Sequence, residues 1–252
     1  MSGIGSETVL GAFLIFCRIG ACLMLVPGFS SSRIPMRVRL FVAMAVSLAL
    51  SPLLIEQVGP LVAAGTAPSA LLGSIGSELL IGFMIGLLGR LFFMALEFIA
   101  VAASQAMGLA VMPGISVTDD EQMPPIASLF SLTAVTIMFV TNQHWLLLGG
   151  LVDSYTTLKP ALGFQAQASL ISVVDQLSAV FFLALRIGSP FLIYSILVNF
   201  AIGLTNKLSP QIPVYFIAMP FVTAGGLLLL MVTVNEFMAN FIDAFGLWLS
   251  NG

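Results

Sequence analysis

The chain has 252 residues, of which 59% are hydrophobic and only 8% are charged. Its mean hydropathy of +1.12 exceeds what a water-soluble core of this size can use, and it places the chain in a membrane or in an assembly that replaces one. A net charge of −3, built from few charges of either sign, excludes a nucleic-acid surface, and no polar stretch is long enough for a separate soluble domain.

The first apolar run is Val9–Val26, closed by Pro27-Gly28. Positions 1–7 carry no Lys or Arg, Arg18 interrupts the run, and no A-x-A cleavage pattern follows, so the segment is expected to stay in the structure. Cys17 and Cys22 lie five apart within it; on a helix they point about 140° apart, beyond disulfide reach, and read as buried thiols. A loop with Arg33, Pro35, Arg37 and Arg39 leads into the second run, Leu40–Ile55, with Pro52 near its end. Pro60, Gly65 and Pro68 punctuate the next connection. The third run, Leu71–Ala103, is the longest clean helix and holds three charges, Glu78, Arg90 and Glu97.

A polar interval from Ser104 to Pro125 contains Asp119, Asp120 and Glu121. The fourth run, Ile126–Val152, carries a polar knot at Asn142-Gln143-His144. A polar linker to about Ser172 precedes Val173–Thr205, which Arg186 and Pro190 break. After a turn from Lys207 to Pro213 comes Val214–Val234, with Pro220 inside. The tail, Asn235–Ser250, is amphipathic: Glu236, Asn240 and Asp243 share one face, and Phe237, Phe241, Phe245 and Trp248 the other. Six spans result, and the basic residues at 33, 37, 39 and 207 put both termini outside the cytoplasm. The runs longer than one span predict proline-broken helical hairpins, tolerated where protein or a water-filled cavity satisfies the freed backbone. The fold class is therefore all-α, polytopic and membrane-type, in one domain spanning 1–252.

Gly82, Gly86 and Gly89 form a small-residue stripe with Glu78, spaced to let a second backbone approach closely. That backbone could belong to a neighbouring subunit or to this chain. Arg18, Glu78, Arg90, Glu97 and Arg186 are charges inside apolar runs, expected to be buried and paired with other helices rather than to form an ion path. Arg90 and Glu97 stand about 10 Å apart along the helix axis, too far for a tight pair. His144 is the only histidine, and no nucleophile–base pair or metal-ligand spacing is present, so neither an enzyme nor a cofactor is expected. Within the polar interval, Met107, Gly108, Met112, Pro113, Gly114 and Met123 combine flexible, polarizable side chains with helix breakers, the composition of a soft loop that could close a pore.

Taken in order, the segments resemble the FliR family of flagellar export-gate proteins and their virulence-secretion relatives. The resemblance rests on Phe16-Cys17-Arg18-Ile19-Gly20, Pro27-Gly28-Phe29, Ile34-Pro35-Met36-Arg37-Val38-Arg39 and Gln105-Ala106-Met107-Gly108-Leu109-Ala110. It continues through Asn142-Gln143-His144, Asp153-Ser154-Tyr155, Ala184-Leu185-Arg186, Ser189-Pro190, Gly203-Leu204-Thr205-Asn206-Lys207, Pro210-Gln211 and Met219-Pro220. Gln143 stands where the family often has Gly, and Trp145 where a second His is common. The resemblance implies a non-enzymatic subunit of the type III export gate in the bacterial inner membrane and flagellar basal body. Its implied partners are FliP-like and FliQ-like subunits, other export-apparatus membrane proteins and unfolded flagellar substrates in transit. It also implies a helical stack raised largely out of the bilayer, with the Met107–Met123 segment plugging the lumen. The alternative is a small-molecule secondary transporter, whose matched broken helices in two halves are not evident: Pro190 and Pro220 have no counterparts in the first half.

Overall fold

In the computed structural model, residues 5–31, 34–63, 67–109, 124–160 and 163–251 are described. Among them every regular element is helical: α1 (Ser6–Leu23), α2 (Met36–Val58), a 3-10 turn at Gly59–Leu61, α3 (Pro68–Ala106), α4 (Pro125–Val140), α5 (Gln143–Thr157), α6 (Ala166–Leu208) and α7 (Val214–Asn251). α1, α2 with its 3-10 extension, α3, α6 and α7 are each long and apolar enough to cross a membrane; α4 and α5 make a sixth candidate if taken together as one broken span.

Prolines and glycines set most of the boundaries. Pro68 and Pro125 open α3 and α4, where a missing N–H leaves no intrahelical bond unmade. α3 ends in a Schellman turn: Gly108 is left-handed at φ 73°, its N–H donates to Gln105, and the Leu109 N–H reaches back to the Ser104 carbonyl. Within α6, Pro190 cannot donate to the Arg186 carbonyl, and the Ser189 hydroxyl donates to it instead at 2.9 Å. The break lets α6 run on as a helix.

Three expectations are corrected. The fourth run is not one helix: Asn142, at φ 60° and ψ 17°, adopts the left-handed conformation that asparagine tolerates and separates α4 from α5. The linker before the fifth run is partly helical, because Ala166–Ser172 contains no breaker and α6 starts at Ala166. The amphipathic tail is not a separate element; α7 passes through Asn235 without interruption, and the Asn240 side-chain amide donates to the Glu236 carbonyl one turn back.

The chain sorts into two compact units. The first holds Met1–Phe92, Asn142–Leu177 and Trp248–Gly252. Its core joins Leu14, Ile15, Ile19 and Leu23 of α1 to Ala43, Leu54 and Val58 of α2 and to Tyr155 of α5. The second holds Phe93–Thr141 and Ser178–Leu247. There the apolar face of α7 meets three helices. Phe241 and Phe245 meet Phe93 edge-on at 5.3 and 5.5 Å, and Phe237 meets Phe130 at 4.7 Å and Phe191 at 6.4 Å. Edge-to-face contacts of this kind stabilise beyond the area they bury. Glu236 and Asp243, on the opposite face, are exposed, as the amphipathic pattern requires.

Candidate functional site

Two constructions stand out, one in each unit. In the first, Arg18 of α1 is fully buried and every one of its five N–H donors is used. Nε donates to Glu78 Oε2 at 2.7 Å and Nη2 to Glu78 Oε1 at 2.9 Å, a bidentate pair with α3. Nη1 donates to the Ser154 carbonyl at 3.0 Å and to Ser154 Oγ at 3.1 Å, while Nη2 also reaches the Leu158 carbonyl at 3.1 Å. The Ser154 hydroxyl in turn donates a hydrogen bond to the Leu151 carbonyl at 2.6 Å. Finally the Tyr155 ring lies over the guanidinium, 3.9 Å from centroid to Cζ. A cation at the C-terminal end of α5 is also favoured by that helix's dipole. Arg18 thus ties α1, α3 and α5 at one point.

The small-residue stripe explains how the guanidinium gets there. A Cβ on Gly82 would land on the Arg18 carbonyl oxygen, and one on Gly86 would lie 2.8 Å from the Cys22 carbonyl oxygen. A Cβ on Gly89 would make only an ordinary 3.4 Å contact with the Trp248 ring. Of the two readings of the stripe, the structure gives packing within the chain: α1 occupies the seam at Gly82 and Gly86, so those positions do not seat a neighbouring subunit. Backbone contact at Gly82 brings α1 close enough for Arg18 to reach Glu78.

The other charges part company. Glu97, in the second unit, is half-buried and accepts a hydrogen bond from Ser131 Oγ at 3.0 Å. Arg90 and Arg186 are exposed on the described chain, so their burial is not a property of the chain itself. The reason at Arg186 is position: Phe182 and Leu185, one turn or less before it, are exposed with it on one face of α6.

The second construction is at the C-terminal end of α3. Met107 is fully buried, and its Cβ and Cγ fill the space where Gly226 of α7 lacks a side chain. Next to it, the Tyr194 hydroxyl fits against Gly225 and donates to the Val222 carbonyl at 2.6 Å. Gly108 follows Met107, near Thr223 and Met219. A cleft of about 50 Å³ adjoins, its lining including Gln105, Ser195, Asn199 and Tyr215. Met112, Pro113, Gly114 and Met123, the rest of the expected plug, lie outside the described residues. Sequence reasoning found Met107 and Gly108 but missed Gly225, Gly226 and Tyr194; a glycine pair inside an unbroken helical run was the available sign, because each glycine there costs about 0.5–1 kcal/mol unless something needs the space.

Residues 9–247 match the family of bacterial export proteins, family 1. The chain belongs to that family. Among its relatives, the flagellar biosynthetic protein FliR of Caulobacter vibrioides is 29% identical over 237 residues, 93% of this chain and 92% of that protein. FliR of Escherichia coli is 25% identical over 84% of this chain and 80% of its own length. The Yop proteins translocation protein T of Yersinia pestis is 28% identical over 66% of this chain and 64% of that protein. The chain is accordingly a membrane component of a bacterial protein-export apparatus.

Proposed function

We propose that the chain is a non-enzymatic subunit of the flagellar type III export gate, working as a single domain with FliP-like and FliQ-like subunits in the inner membrane at the flagellar basal body. The observation that carries this is the family match, which runs through both compact units. Flagellar rather than virulence use is favoured because a FliR relative aligns over 92% of its length and the Yop relative over 64%. The helices support an assembled state. α3, α6 and α7 contain 39, 43 and 38 residues, about twice the ~20 that cross a bilayer, so lipid is not their sole environment. Met107 and Gly108, with the segment through Met123, act as the plug of the channel, and unfolded flagellar proteins are its cargo.

The test is purification of the tagged chain from detergent-solubilised membranes. Recovery with two further small membrane proteins in fixed ratio, together with loss of motility on deleting its gene, is the expected result. A monodisperse chain that purifies alone and binds a small solute would instead support the transporter reading.

A further inference from the structure

We propose that the outer face of α6, from Phe182 to Leu204 and including Arg186, is a docking surface for an apolar helix of a companion subunit, and that this helix supplies an Asp or Glu carboxylate to Arg186. The inference rests on the reading of the chain as a gate subunit and deepens it by naming the chemistry of one contact.

The face is defined by what α6 does not bury. Val180, Ala184, Ile187, Gly188 and Phe191 are the buried residues of the helix, and they share one side of it. At 3.6 residues per turn, Phe182, Arg186, Ile193, Leu197, Phe200 and Leu204 lie within about 60° of one another on the opposite side. All six are exposed, the five apolar ones each by more than half. The stripe is apolar except for one guanidinium. Among the described residues, no carboxylate or carbonyl accepts a bond from it.

Position decides against lipid as the sole cover. Arg186 stands about 30 Å from either end of α6 at 1.5 Å per residue. A bilayer entered at one end and crossed in ~20 residues has its far edge near Arg186. Lipid over the C-terminal half leaves the exposed rings of Phe181 and Phe182 bare; lipid over the N-terminal half leaves Ile193, Leu197, Phe200 and Leu204 bare. A protein helix lying along the stripe covers both sides of Arg186. It also takes the guanidinium out of water, and a charge enclosed without a partner is strongly unfavourable. A carboxylate meets that need best, since its two oxygens match the planar N–H fork. The chain already contains such a junction: Arg18 of α1 meets Glu78 of α3 in a bidentate pair between two apolar helices.

The experiment uses the full complex purified from detergent-solubilised membranes. In one arm the photoreactive p-benzoylphenylalanine stands in for Ile193, with Arg186 unchanged, and the crosslinks formed on irradiation are read by mass spectrometry. A crosslink to a companion subunit is expected; adducts to lipid alone, or within this chain alone, overturn the docking surface. In the second arm Arg186→Lys is treated with a membrane-permeant carbodiimide, which joins an amine to a carboxylate only where the two touch. The expected product is an amide between the introduced lysine and an Asp or Glu of a companion. An amide to a carboxylate of this chain, or none in an assembled complex, overturns the pairing. Arg186→Glu should lower companion recovery by more than about tenfold while Arg186→Lys keeps most of it, and equal recovery of the two overturns the pairing. Should Arg186→Lys fail to assemble, motile revertants of Arg186→Glu decide instead: a change at an acidic residue of a companion supports the pairing, and changes confined to this chain overturn it. A chain that purifies without companions refutes the gate reading and the inference with it. Companions present while position 193 meets only lipid refute the inference and spare the gate reading.

Discussion

Arg18 and Glu78, sixty positions apart, form a bidentate ion pair of 2.7 and 2.9 Å with both side chains essentially excluded from solvent. Removing one partner of such a pair strands the other charge. Arg18→Leu is expected to destabilise the chain by about 3–5 kcal/mol, seen as a lower melting temperature and poorer recovery of the complex in detergent. Arg18→Lys should recover only part of this, because an ammonium has three donors and the guanidinium uses five. The double change Arg18→Leu with Glu78→Leu should be milder than Arg18→Leu alone. Equal damage in all three would mean that the pair's packing, and not its charge, is what matters.

The glycines of α3 should show graded sensitivity. Gly82→Ala meets a backbone carbonyl, and Gly86→Ala presses on backbone and Leu25, so each should cost about 1–3 kcal/mol. Gly89→Ala meets the far edge of a tryptophan at ordinary contact distance and should be tolerated. Gly86→Leu is expected to reduce complex recovery and abolish swimming. Thermal stability of the purified complex ranks the series, and a sensitive Gly89 with a tolerant Gly82 would contradict the packing described.

Asn142 holds a left-handed backbone where α4 gives way to α5. Asn142→Gly should be tolerated, whereas Asn142→Val should destabilise the chain by about 1–2 kcal/mol, since a β-branched residue disfavours that conformation. Comparing melting temperatures of the two variants checks this; equal values would show that the left-handed conformation is not what position 142 requires.

Ser189 matters only because Pro190 follows it. Ser189→Ala leaves the Arg186 carbonyl without its hydroxyl donor and should cost about 1 kcal/mol. In a Pro190→Ala background the helix regains the N–H that normally bonds that carbonyl, and Ser189→Ala should become nearly neutral. A double-mutant cycle on stability measures the coupling; strict additivity would refute it.

Shortening the segment between Val111 and Gln122 should leave assembly intact while raising ion leakage. A channel for unfolded chains must hold back ions at rest, and an apolar methionine seal can do so. Asp119, Asp120 and Glu121, in the same segment, lie outside the described residues. Growth under salt stress and channel conductance are the measurements; an assembled complex as tight as the parent would assign the seal to another element.

Hydropathy is a local property, and it located every long helix. What it could not supply were relationships carried by single residues or by distant ones. Asn142 looked like part of a polar knot inside one helix, because a left-handed backbone leaves no periodic trace. Asn235 looked like a boundary, yet α7 passes through it. The glycine stripe at 82, 86 and 89 announced a close approach but not by which helix, since an absent side chain names no partner. Arg18 was recognisable as a charge in need of company; its partners at 78, 154 and 158 depend on which helices the fold brings together, which no local pattern encodes.

The length of the three long helices constrains how the protein can be made. Phe98, Phe200, Phe216 and Phe221 are at least 70% exposed on the chain by itself. Neither water nor a single thickness of lipid can coat helices of 38 to 43 residues that carry such rings. A copy synthesised ahead of whatever sheathes it has no resting place. If the chain works in the assembly proposed above, copies made in excess of their partners are expected to be degraded, which a pulse-chase in cells lacking the partner genes would check.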